Sequence, residues 1–126
     1  MSLRPRLLAD RSGATAVETA LILPALLLIL LGAIEIGRFA WMRAGLQFAV
    51  QEAARCAAVQ PTVCGTAAQT QAFAAAKVSA LNIPASDFTV TTPTCGTQVQ
   101  ASHAYGYLIF AIFPATPTLT AQTCRS

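Results

Sequence analysis

From Ala20 to Ile34 the chain reads ALILPALLLILLGAI, fifteen residues without a charge. A bilayer core is spanned by about 20 apolar residues of helix. The uncharged run reaches that length when the helix continues back through Glu18 or on past Glu35. Counted from Ala14 to Ile34 it is 21 residues with one acid, Glu18. Composition points the same way. The chain is 55% apolar and only 10% charged, whereas a soluble domain usually carries about 25% charged residues. At 126 residues there is room for one small domain and an anchor.

The rival reading of such a run is a cleaved secretory signal peptide, which needs a small-residue cleavage site after its apolar core. Here the run is followed by Glu35-Ile-Gly-Arg38-Phe-Ala-Trp41, which offers no good A-x-A site and keeps a helical pattern. The basic residues bear on orientation. Arg4, Arg6 and Arg11 precede the span with Asp10 as the only acid, and removing residues 1–13 lowers the net charge from +3 to +1. The basicity is therefore local, a topology signal and not a nucleic-acid footprint. Arg38, Arg43 and Arg55 follow the span, so the charge count is nearly balanced. The compact leading arginines and the downstream cysteines favour a cytoplasmic N-terminus.

Beyond Glu35 the pattern becomes two-faced. Phe39, Met42, Leu46, Ala49, Ala53 and Cys56 recur at helical spacing. Arg43, Gln47, Gln51 and Arg55 step by four along another face, and Glu52 can pair weakly with Arg55. Gly37 and Gly45 weaken a helix without ending it, and Pro24 can kink it. Residues 14–58 thus read as one helix of about 65 Å, with a transmembrane segment at about 14–36. Its small residues, among them Ala44, Ala49, Ala53 and Ala54, permit close approach by the chain's own head or by another subunit.

The remaining residues, 60–126, read as a head. Thr66-Ala-Ala-Gln69 fits a capping box, and Asn82 and Pro84 supply a stop, so a second helix is expected over about 66–82. The period then changes to two. Phe88 and Val90 alternate with Thr89 and Thr91. Val99, Ala101, His103, Tyr105 and Tyr107 alternate with Gln98, Gln100 and Ser102. Leu119, Ala121 and Thr123 form a third set. Pro93-Thr-Cys-Gly96 is a turn. The fold class is α+β: a long N-terminal helix, a second helix and a three-stranded antiparallel sheet. The Leu108–Phe113 run is read as core, with an exposed binding patch as the alternative.

The four cysteines, Cys56, Cys64, Cys95 and Cys124, all lie downstream of the span, and none forms a C-x-x-C. Two disulfides in an oxidising compartment are expected. Cys56 ends the long helix and Cys64 precedes the second. A third strand running back along the second brings Cys124 near Cys95. Cys56–Cys64 with Cys95–Cys124 is favoured among three possible connectivities. A metal site, a cofactor site and a catalytic site are not expected. His103 is the only histidine, it lies on an apolar strand face, and no serine–histidine–acid set or phosphate-cradling glycine loop is present.

One motif points to function. Arg11-Ser-Gly13-Ala14-Thr-Ala-Val-Glu18 places a glycine between a basic leader and an apolar helix, with a glutamate five residues on. It resembles the processing site of type IV prepilins and pseudopilins, where a prepilin peptidase cuts after the glycine. Cleavage after Gly13 makes Ala14 a free ammonium, one helical turn from Glu18. Such a partner offsets the cost of a carboxylate at the membrane edge. Thr15-Ala-Val-Glu18 is also a plain capping box. Over residues 13–58 the chain resembles the TadE-like family of Tad (Flp) pilus assembly proteins, through Gly13, Ala16-Val-Glu18, Leu23-Pro24, Glu35-x-Gly-Arg38 and Gln51-Glu-Ala-Ala-Arg55.

The resemblance implies a non-enzymatic pseudopilin or minor pilin in a bacterial inner membrane, its head in the periplasm. The implied partners are the bilayer, a prepilin peptidase, other Tad pilus subunits and the inner-membrane platform. The alternative is an unprocessed single-pass anchor that binds another envelope protein through its head.

Overall fold

In the computed structural model the described residues are 12–109 and 115–126. The arginine leader therefore lies outside them, as does the Leu108–Phe113 run beyond Ile109. The described start of that run, Leu108, is exposed. This differs from the core position expected for it.

The first helix, α1, spans Ser12–Val59 and contains Pro24 without ending there. Two compact units divide the chain, Met1–Glu35 and Ile36–Ser126. The described part of the first unit is helix alone. In the second, α1 supplies the inner face that spacing predicts: Leu46, Ala49, Ala53 and Cys56 are buried, and Phe39 and Met42 pack partly buried against the core. Val50 and Ala54 widen this stripe. Arg43, Gln47, Gln51 and Arg55 are exposed. Glu52 and Arg55 form no ion pair, because fixing two long side chains in solvent offsets the weak attraction.

After α1 come a single turn, α2 (Pro61–Cys64), and α3 (Ala67–Lys77). The capping box is formed. Gln69 N donates to Thr66 Oγ1 at 3.2 Å, and Thr66 N donates to Gln69 Oε1 at 3.1 Å. α3 stops earlier than the pattern suggests and is followed by a 3-10 turn, Ser79–Leu81. Asn82 ends it at φ 53°, a left-handed conformation that asparagine tolerates.

A second 3-10 turn, Ala85–Asp87, leads into β1 (Phe88–Thr91), followed by β2 (Thr97–Ala104) and β3 (Thr118–Arg125). The sheet is antiparallel in the order β1-β2-β3. Alternation assigns its faces: Phe88, Val99, Ala101, Leu119 and Ala121 are buried, whereas Thr89, Gln100, Ser102, Thr120 and Gln122 are exposed. The inner face joins Leu46, Ala49, Val50, Ala53 and Ala54 of α1 and Ala74 of α3 in one core. The α+β class is thereby established.

Pro93 and Gly96 close the turn between β1 and β2, with Gly96 N donating to Pro93 O at 3.0 Å. Gly96 has φ +111°, and a Cβ there would sit 2.2 Å from Arg125 O. Both the conformation and the contact require glycine.

Candidate membrane and assembly surfaces

The large side chains of the uncharged run of α1 are exposed. Leu21, Leu28, Ile29 and Ile34 are between 55% and 73% exposed, and exposed leucines and isoleucines occur on every side of the helix. Among the described residues α1 is the one helix long and apolar enough to cross a membrane, and only 6% of its most apolar stretch is buried. A core helix of that composition would be covered. Uncovered, it presents to its surroundings a surface that water solvates poorly and lipid solvates well.

Gly13, Ala14 and Glu18 lie in the first turns of α1, and Ala14 and Glu18 are exposed. A Cβ on Gly13 would meet nothing within 4 Å, and the same holds for Gly32 and Gly37. These glycines answer no steric demand within the chain, although each weakens the helix by about 1 kcal/mol relative to alanine. Thr19 Oγ1 donates back to Thr15 O at 2.9 Å, which satisfies the hydroxyl within the helix.

Gly45 is different. A Cβ there would come within 2.5 Å of Leu81 Cδ1, so the missing side chain makes room for the 3-10 turn to lie on α1. Beside this contact is an open groove of about 330 Å³, lined by Trp41, Ala44, Phe48, Leu81 and Lys77 among others. Trp41 is 70% exposed and Phe48 50%. Two turns apart, they form a second apolar lane on α1, outside the stripe that packs under the head. Sequence periodicity assigns one apolar face to this helix. The aromatic pair at i and i+7 was the available signal for another.

The head is fastened to α1 by Tyr105, which is fully buried. Arg38 Nη1 donates to Tyr105 Oη at 3.3 Å, and the guanidinium lies 5.5 Å from the ring centroid. Phe39 meets the same ring edge-on at 5.2 Å, and Tyr107 at 5.5 Å. Sequence alone places Arg38 in a motif and Tyr105 on a strand face, but gives no sign that they meet.

Disulfides join Cys56 to Cys64 and Cys95 to Cys124, and no described cysteine is free. His103 shares the inner sheet face with Val99 and Ala101. Its Nδ1 lies 2.5 Å from Asp87 Oδ2, and the two side chains are 21% and 25% exposed. The pair ties β2 to the 3-10 turn. Among those residues no group of three metal-ligating side chains occurs.

Comparison with known proteins agrees with the helix. The family model described as TadE-like protein matches residues 13–55. No curated protein and no solved structure matches the chain. The matched stretch begins at the glycine of the leader motif and ends at Arg55, so it takes in both the uncovered apolar run and the helical face beneath the head. Over residues 13–55 this chain is similar to TadE-like proteins, a family that suggests a component associated with a Tad pilus.

Proposed function

We propose that the chain is a pseudopilin-like subunit or minor pilin of a Tad (Flp) pilus assembly system. In this reading α1 crosses the inner membrane from a cytoplasmic N-terminus and the disulfide-bonded head stands in the periplasm. A prepilin peptidase cuts after Gly13, leaving the apolar helix in place with Ala14 as its ammonium terminus. The protein works by assembly and not by catalysis.

The observation that carries this reading is the coincidence of the TadE-like match with a helix whose apolar run is uncovered on all sides. Two further facts support it. Both disulfides suit an oxidising compartment, and Gly13 has no steric reason to be glycine in this fold. The exposed lane of Trp41 and Phe48 offers apolar surface just where a neighbouring subunit or the lipid interface would use it.

The test is the intact mass of the protein extracted from the membranes of cells that carry the Tad system. Loss of the first thirteen residues is expected, together with retention of the leader in a Gly13→Val variant. A wild-type protein that keeps its leader would instead identify an unprocessed anchor.

A further inference from the structure

The two edges of the head sheet are unlike. Tyr105 N donates to Pro117 O at 2.9 Å, which fixes the phase of the β2–β3 ladder. In an antiparallel pair, hydrogen-bonded and non-bonded positions alternate. With the register Ser102↔Thr120 and Ala101↔Ala121, Leu119, Ala121 and Thr123 direct their backbone groups to β2. Thr118, Thr120, Gln122 and Cys124 direct theirs to the free side. The same alternation turns Phe88 outward on β1, and there Gln71 Nε2 of α3 donates to Phe88 O at 2.8 Å. At Phe88 the β1 edge is thus taken up, its C=O by this glutamine and its N–H by Ala85 O. Along β3, no hydrogen bond from the described residues reaches the outward backbone groups.

We propose that β3 is a self-pairing edge, at which a second copy of this chain adds its own β3 antiparallel across a two-fold axis. Four features of the strand select that occupant. A continuing stack of copies would need the β1 edge, where only Val90 keeps outward backbone groups, so pairing of β3 with β3 is favoured and stops at a dimer. From Thr118 to Cys124 the strand has no charge, and Arg125 stands at its end, so an antiparallel copy meets no like charge at its centre. Centred on Ala121, the register sets Thr118 opposite Cys124 and Thr120 opposite Gln122. It therefore uses every outward N–H and C=O, while the small Ala121 side chains face each other at the axis. Finally, an open cleft of about 410 Å³, lined by Gln47, Gln100, Thr120, Ala121 and Gln122, runs beside the edge and leaves it accessible. Neither proline nor an internal charge guards this strand, as protected edges usually require. The pairing does not depend on the pilus reading.

The experiment compares full-length protein in detergent micelles by sedimentation, with Thr120→Pro, Thr120→Lys and Trp41→Ala/Phe48→Ala variants. Proline at 120 removes an N–H that faces the free side and leaves the β2 ladder intact. Lysine there sets two ammonium groups diagonally across the axis. The wild type is expected to dimerise, with dimerisation weakened at least about tenfold in both Thr120 variants and retained in the Trp41/Phe48 variant. In the wild type, amide exchange at Thr118, Thr120 and Gln122 should slow as protein concentration rises, a readout that needs no variant to fold. A wild type that stays monomeric overturns the proposal. So does a dimer indifferent to both Thr120 changes, or one whose exchange at these amides is independent of concentration.

Discussion

At the scale of single residues, Tyr105 does most to hold the head on its helix. It is fully buried, takes a hydrogen bond from Arg38 and meets two aromatic rings edge-on. Tyr105→Phe removes only the hydroxyl, and a urea melt should show a loss of about 0.5–1.5 kcal/mol. Tyr105→Ala also leaves a cavity and should cost about 3–5 kcal/mol. The prediction fails if the two variants melt alike. Gly96 is the other sensitive position. At φ +111°, with Arg125 O where a Cβ would stand, alanine is penalised twice. Gly96→Ala should destabilise the head by more than about 1 kcal/mol, read as a lower denaturant midpoint with both disulfides intact. At Gly13, where a Cβ meets open space, the same exchange should not destabilise the chain.

At the scale of elements, the start of α3 depends on a reciprocal cap between Thr66 and Gln69. Thr66→Ala should cost about 1 kcal/mol, and Thr66→Asn should recover most of it. A circular-dichroism melt of the three proteins decides the point. The two disulfides should contribute unequally. Cys95–Cys124 joins residues 29 apart and Cys56–Cys64 residues 8 apart. Chain entropy favours the longer loop by about 1 kcal/mol. Replacing Cys95 and Cys124 with serine should therefore lower the melting temperature more than replacing Cys56 and Cys64. The short loop is also held by α2 and by the bond from Thr70 Oγ1 to Cys64 O at 3.1 Å.

For the whole molecule, α1 joins two demands that no soluble helix faces together. Its first half exposes apolar side chains on all sides, and its second half packs one face under a sheet. Protein made in bacteria should sediment with membranes and resist extraction by salt and alkali, yet dissolve in detergent. Recovery in the soluble fraction without detergent would contradict the membrane role. The TadE-like match ends at Arg55, and residues 56–126 lie beyond it. The sheet edge and disulfides lie in that part.

Much of this was written in local pattern. The uncharged run from Ala20, the 3-4 spacing from Phe39 to Cys56, the capping box at Thr66 and the alternation in three strands depend on neighbours a few residues apart, and periodicity carries such information. The same holds for the leader motif, which sequence places but whose processing the fold leaves to experiment. The contacts of Arg38 with Tyr105, of Gln71 with the Phe88 carbonyl, of Asp87 with His103 and of Gly45 with Leu81 join residues from 16 to 67 positions apart. No local period encodes them. They arise only when the sheet closes over the helix and each buried polar group must find a partner in the space that remains. The bond from Gln71 of α3 to the Phe88 carbonyl at the β1 edge was decided there as well.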